Sequence, residues 1–169
     1  YAFQMLYWTG IRVGELLALT AGDFDFKNNM LTINKSYQRL HGEDVITPPK
    51  TEKSKRTIKM PQFLCDEMQE YLKMFYSPND GDRIFPISKS YLHHEMDRGS
   101  KAAGVKRIRI HDLRHSHVSL LINQGYQAAA IADRVGHETV EITDRYTHIY
   151  PSKQNEMANT LDELWKERK

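Results

Sequence analysis

Apolar and polar positions follow two different periods along this 169-residue chain. Residues 2–9 are mostly apolar or aromatic, the pattern of a buried helix, and Thr9-Gly10 breaks it. Ile11, Leu16 and Leu19 then fall on one face of a second helix over 12–19. The period changes after Asp23. Met30-Leu31-Thr32-Ile33 alternates in β-rich residues behind the turn Lys27-Asn28-Asn29, and Val45-Ile46-Thr47 and Arg56-Thr57-Ile58-Lys59-Met60 predict two further strands. With Pro48–Ser54 as a polar hairpin connection, these make a small three-stranded antiparallel sheet with a basic tip. Helical spacing returns after Pro61, where Phe63, Leu64, Met68, Tyr71 and Leu72 form the core stripe of a helix reaching about Tyr76. Ser77–Asp82 reads as a loop and Ile84-Phe85-Pro86 as a short extended segment. Ser88 caps a helix that runs to about Ala103 and ends at Gly104. Three more helices are predicted over 111–123, 127–134 and 142–148, stopped by Gly125, Gly136 and Pro151. A last one over 152–168 carries Met157, Leu161, Leu164 and Trp165 on one face. The pattern is α+β: mainly helical, with a small three-stranded antiparallel sheet.

Length and composition bound the possibilities. The chain is long enough for one domain with a real core. Charged residues at 27% and hydrophobic ones at 40% are the profile of a globular protein. No apolar run approaches the roughly 20 residues of a membrane span. The first residues, Tyr1-Ala2-Phe3-Gln4, carry no secretory signal and begin inside a helix, so an excised domain of a longer protein is expected. The single Cys65 excludes an intrachain disulfide and suits a reducing compartment. Net charge is only +2, but its distribution is uneven. Lys50, Lys53, Lys55, Arg56 and Lys59 cluster in one stretch, and Arg98, Lys101, Lys106, Arg107, Arg109 and Arg114 in another. Acids gather elsewhere, at Asp66, Glu67 and Glu70 and towards the C-terminus. A one-sided field that suits a nucleic-acid partner follows, although solvated faces that bind nothing would look the same.

The candidate chemistry lies mostly near the C-terminus. His111-Asp112-Leu113-Arg114-His115 places His111 and Arg114 on one helical face, Gly136-His137 follows, and Arg145-Tyr146-Thr147-His148 closes the stretch. A hydroxyl, imidazoles and a guanidinium together suggest attack on a phosphodiester. Arg12 is expected in the first turn of its helix, where the dipole disfavours a cation unless an anion binds there too. Glu15 would pair with Arg12 or orient it; a plain surface ion pair uses the same spacing. His111 and His115 have a zinc-binding spacing, but no Glu follows the first histidine and Arg114 would crowd the metal. His93-His94 reads as a surface pair, and His117 and His148 as packing or hydrogen-bonding residues. There is neither a Gly-rich phosphate loop nor the carboxylate layout of a two-metal nuclease.

Five separated motifs, in order, carry a resemblance: Thr9-Gly10-Ile11-Arg12-Val13-Gly14-Glu15-Leu16, Lys50-Thr51, His111-Asp112-Leu113-Arg114-His115, Gly136-His137 and Tyr146-Thr147-His148. Over about residues 5–150 the chain resembles the tyrosine recombinases, or phage-type integrases, especially those of phages and conjugative transposons. Departures are small: Val135 where leucine is commoner, and Ser116-His117 in place of a threonine–aromatic pair. The resemblance implies a catalytic domain over 1–151 that acts on double-stranded DNA, with residues 152–169 a C-terminal helix. Arg12 and Arg114 would clamp the scissile phosphate, Tyr146 would be the nucleophile and His111 the general base. Lys50, with Lys53 as second choice, would protonate the leaving oxygen, His137 would bond a phosphate oxygen, and Glu15 would support. Lys53, Lys55, Arg56, Arg107 and Arg109 would contact DNA. Neither metal nor other cofactor is implied. Met157, Leu161, Leu164 and Trp165 would dock on a neighbouring protomer of a tetrameric synapse, or on their own domain. A bacterial cytoplasm, at the nucleoid, is the implied location. A type IB topoisomerase-like enzyme and a non-catalytic DNA-binding regulator of the same fold are the alternatives.

Overall fold

The computed structural model describes residues 1–49, 51–75 and 81–137. Helix α1 (Ala2–Thr9) buries Met5 and Leu6 and ends at Gly10. Helix α2 (Val13–Ala18) follows after a short break and buries Leu16 and Leu17. Arg12 stands one position before its expected place, as the N-cap of α2 with extended backbone. Gly14 is required by what lies against it. A Cβ there would come 2.6 Å from Ser36 Oγ and 3.0 Å from the Tyr37 carbonyl oxygen, so only glycine lets α2 sit this close to the next strand layer.

That layer departs from the expected sheet. Strands β1 (Phe24–Asp25), β2 (Met30–Ile33) and β5 (Arg56–Lys59) form a three-stranded antiparallel sheet in the order β1-β2-β5. Its registers pair Phe24 with Leu31, and Leu31 with Ile58. Val45-Ile46-Thr47 is not its third strand. It belongs to β4 (Glu43–Thr47), which pairs with β3 (Ser36–Leu40) in a separate hairpin. The turn of that hairpin, His41-Gly42, has positive φ at both residues, the conformation that matches strand twist. Consequently 48–54 is not a hairpin connection. It crosses from one sheet to the other and holds a 3₁₀ turn, Glu52–Ser54. The β3–β4 hairpin is tied down through Asp44, which accepts from Tyr37 Oη at 2.7 Å and Arg83 Nη2 at 3.0 Å, while Arg83 lies over the Tyr37 ring at 4.1 Å.

Helices α3 (Gln62–Lys73), α4 (Lys89–Ala103), α5 (Ile110–Asn123) and α6 (Ala128–Val135) complete the described fold close to the expected boundaries. Ser88 caps α4 by accepting from Tyr91 N at 3.1 Å. A main core gathers Met5, Leu6, Ile11, Leu16, Leu31, Ile33, Leu64, Met68, Ile84, Phe85 and Leu92. A smaller one joins Val118 of α5 to Ile131 and Val135 of α6. One member of the expected α3 stripe is misplaced. Phe63 is 44% exposed, leaning edge-on against Trp8, and Cys65 takes the buried position. No helix among the described residues is long and apolar enough to cross a membrane. The helices expected over 142–148 and 152–168, and most of the 77–82 loop, lie outside the described residues.

Leu64→Ala should cost about 2–5 kcal/mol, whereas Phe63→Ala should cost about 1 kcal/mol, the scale of one aromatic pair. Urea denaturation of both variants decides it, and equal losses would contradict this assignment of the α3 faces.

Candidate active site

The site is built around the C-terminal end of α6. A helix leaves its last carbonyls without partners inside the helix, and its dipole makes that end negative. Here three consecutive carbonyls each accept from a different arginine. Arg134 O takes Arg56 Nε at 2.9 Å, Val135 O takes Arg114 Nη2 at 2.6 Å, and Gly136 O takes Arg12 Nη2 at 2.9 Å. Gly136 ends the helix in the left-handed region at φ 68°, which turns these carbonyls towards the arginines. A Cβ on Gly136 would also come 3.0 Å from Arg56 Nη1 and 3.2 Å from the Lys53 carbonyl oxygen.

Arg114 comes from α5 and is buried, 3% exposed. It also donates Nη1 to Gly10 O at 2.6 Å, so it bridges the ends of α1 and α6. Arg12 comes from the other side and keeps about a third of its side chain exposed, 38%. Its Nη1 reaches Glu15 Oε1 at 2.8 Å, and its backbone N–H donates to Glu15 Oε2 at 2.7 Å. Glu15 is not half of a plain surface pair. It is 3% exposed and also receives Arg56, Nη2 at 2.9 Å and Nη1 at 3.1 Å. Burial pushes its pKa up, but the Arg56 hydrogen bonds and the charges of Arg56 and Arg12 more than offset this and hold it below the usual carboxylate range.

Arg12, Glu15 and His137 line one cleft of about 330 Å³ together with Ser36, Gln38, Thr47, Thr51 and Ser54. The β3–β4 hairpin forms one wall, and Pro48, Pro49, Thr51 and Ser54 form another. His137 follows Gly136 directly, and its backbone N–H donates to Ala132 O at 2.9 Å. Partial burial, then the charges of Arg114 and Arg12, push its pKa down to about 4. His111 stands exposed in the first turn of α5. Lost hydration, then His115, Arg114 and Arg12, lower its pKa too. Both imidazoles are therefore neutral at pH 7, able to donate from one nitrogen and accept at the other. The cleft offers an anion the Arg12 guanidinium, with the Arg114 guanidinium buried at the same helix end and two neutral imidazoles in their field.

The structure thus brings together Arg12, Glu15, His111, Arg114 and His137 of the expected site. Lys50 and Tyr146 lie outside the described residues. Lys53 and Lys55 are exposed on the segment beside the cleft. The Arg56 side chain, expected to contact DNA, is 7% exposed and faces Glu15, where it gives a buried carboxylate a second cation. Arg107 and Arg109 are exposed but paired, with Asp97 at 2.5 Å and Asp112 at 2.8 Å, which softens the field expected of that stretch. His111 and His115 meet ring edge to face at 4.7 Å, and among the described residues no group of three or more possible ligands could hold a metal. Two contributors carried no sequence signal: the hairpin wall of Ser36, Gln38 and Thr47, and Arg134. The Arg134 side chain donates from Nη1 to Lys59 O at 3.0 Å and from Nε to His117 Nε2 at 3.2 Å. His117 packs as expected, buried beneath Gly10.

Burial and the charge of Arg134 push the His117 pKa from its ordinary 6.5 down to about 4. Between those values the unfolded chain binds a proton that the fold refuses. Stability is therefore fully present above pH 6.5 and falls as pH drops towards 4, by roughly 3 kcal/mol for this one group. Urea midpoints of His117→Gln should fall less steeply over that range than those of the wild type. Identical slopes would remove His117 from the account.

The chain is 36% identical over 176 residues to the ICEBs1 integrase of Bacillus subtilis, which covers 96% of this chain and 48% of that protein. It is 32% identical over 181 residues to the integrase of Staphylococcus phage L54a, covering 96% of this chain and 51% of that protein. The chain thus spans about half the length of the curated relatives it matches. Among solved structures, the Tn1549 transposon integrase in complex with a circular intermediate DNA superposes with a TM-score of 0.82 over 96% of this chain and 57% of that one; at 23% identity this shows the fold. The XerA recombinase superposes with a TM-score of 0.71 at 25% identity, covering 95% of this chain and 55% of that one. The sequence profile of the phage integrase family matches residues 1–153, and with the relatives above it places this chain in that family.

Proposed function

We propose that this chain is the catalytic part of a site-specific DNA recombinase, which integrates or excises a mobile element by cutting and rejoining strands through a 3′-phosphotyrosine. The observation that carries the reading is the meeting of Arg12 and Arg114 at the end of α6, with His111 and His137 in their field. The DNA complex of the structurally similar Tn1549 integrase supports DNA as the partner.

In this reading the scissile phosphate lies against Arg12 and Arg114. Their N–H groups stabilise the negative charge that builds on the non-bridging oxygens in the pentavalent transition state. The Tyr146 oxygen attacks phosphorus, and its proton passes to His111, which is neutral and so able to accept it. The bond to the 5′-oxygen breaks, and Lys50, or Lys53, delivers the proton that leaves a free 5′-hydroxyl. His137 donates a hydrogen bond to a phosphate oxygen. In religation the 5′-hydroxyl of a partner strand attacks the phosphotyrosine and gives its proton to the lysine that supplied one in cleavage; the bond from phosphorus to the tyrosine oxygen breaks, and His111 returns its proton to Tyr146. The phosphodiester energy is kept in the covalent link, so no nucleotide is consumed. Residues 1–151 act as the catalytic unit, and residues 152–169 dock on a neighbouring protomer through Met157, Leu161, Leu164 and Trp165.

A nicked suicide duplex spanning the element's attachment junction tests the reading, with EDTA present and wild type beside Tyr146→Phe in the intact protein. A denaturation-resistant protein–DNA adduct should form with the wild type and vanish in Tyr146→Phe. An adduct that survives moves the nucleophile elsewhere, with Tyr150 next. DNA binding without any adduct would favour a non-catalytic regulator. In the same assay Arg114→Lys should react about 100-fold more slowly or worse, because an ammonium cannot span the Gly10 and Val135 carbonyls and still face the phosphate. A wild-type rate in that variant would contradict the assigned role.

A further inference from the structure

We propose that Arg56 is a positioning residue for the phosphate site: it fixes Glu15, and through Glu15 the Arg12 guanidinium, against the end of α6. The catalytic consequence rests on the recombinase reading above.

Arg56 spreads its donors over three residues. Nε goes to Arg134 O at 2.9 Å, Nη1 to Ser54 O at 2.9 Å and Glu15 Oε1 at 3.1 Å, and Nη2 to Glu15 Oε2 at 2.9 Å. One planar group thus touches three separate pieces of the site: the start of α2, the end of α6, and the segment that leads from the cleft wall into β5. The fork on Glu15 is two-pronged, a geometry that arginine satisfies and lysine cannot. The tie between β5 and α6 also runs the other way, because Arg134 on α6 donates to Lys59 O on β5 at 3.0 Å. The two arginines therefore lock strand and helix in register, and the carbonyls that hold Arg12 and Arg114 cannot shift without breaking the lock. Among the described residues, the charged and titratable groups around the Glu15 carboxylate are Arg12 on its own helix, Arg56 from β5 and His137 across the cleft. Arg12 is 38% exposed while Arg56 is 7% exposed, so Arg56 is the partner that keeps a buried carboxylate ionised and aimed.

The test uses the intact protein as wild type, Arg56→Lys and Arg56→Met. Two quantities are measured: the rate of adduct formation on the nicked duplex at saturating DNA, and the NMR signal of the Arg12 Nε–H without DNA, with Arg83 as internal control. Arg56→Met should react about 100-fold more slowly, the scale of an ångström of misplacement, while duplex affinity changes only a few-fold. Its rate should also gain an acid limb that the wild type lacks, as Glu15 begins to protonate, and Glu15→Gln in the same background should abolish that limb. The restrained Arg12 signal should average out while that of Arg83 stays. Arg56→Lys, which keeps charge without the fork, should lie between. If Arg56→Met fails to fold, the lysine variant decides: a rate about ten-fold down at a native melting temperature supports positioning, and a wild-type rate overturns it. A slower Arg56→Met without the acid limb and with the Arg12 signal intact would assign Arg56 to fold stability alone and overturn the proposal. A wild type that forms no adduct, with the Arg12 signal still lost in Arg56→Met, would sink the recombinase chemistry and leave the positioning role standing.

Discussion

The end of α6 governs this site. Its three last carbonyls cannot be satisfied inside the helix, and each binds a guanidinium that arrives from a different part of the chain. Cations are favoured at a helix C-terminus, so the dipole and the hydrogen bonds work together. The result is a cage that orients arginines before any anion arrives. Preorganisation of this kind is where enzymes find much of their electrostatic stabilisation, because nothing has to rearrange as charge develops.

Concentrating cations carries a cost, and Glu15 is the answer to it. Arg12, Arg56 and Arg114 would repel one another around an empty cleft. A buried carboxylate between Arg12 and Arg56 lowers that repulsion while leaving the solvent side of Arg12 available. Removing one partner of such a buried network typically costs 3–5 kcal/mol, since the remaining charge is stranded. Burial first, and the same positive field after it, keep His111 and His137 neutral. A phosphate entering the cleft would reverse part of that bias and raise both values.

Much of this was legible in the sequence, and the failures share one cause. The helical faces of Ile11, Leu16 and Leu19, the stop at Gly136 and the shared face of His111 and Arg114 depend on residues a few positions apart, where period and capping speak directly. The role of Arg56 depends on residues 41 and 78 positions away, and no local pattern reports that. Its place in a basic run suggested a surface cation instead. The sheet was misread for related reasons. Phe24–Asp25 is a strand of two residues, too short for alternation to register. Ser36–Leu40 is polar and largely exposed beyond Tyr37, so its pairing with Glu43–Thr47 is set by the His41-Gly42 turn rather than by an apolar face. Phe63 followed the helical stripe but lies at its edge, where packing against Trp8 satisfies it without burial.

In the proposed reaction Arg12 and Arg114 are held so that together they neutralise one phosphate. The direct measurement replaces a non-bridging oxygen of the scissile phosphate with a methyl group, which removes its charge, and compares adduct formation by wild type and Arg114→Ala. If the guanidinium serves the phosphate charge, the variant's deficit should be large on the natural linkage and shrink sharply on the neutral one. An equal deficit on both would show that Arg114 supports only the fold, through Gly10 and Val135, and would contradict the account.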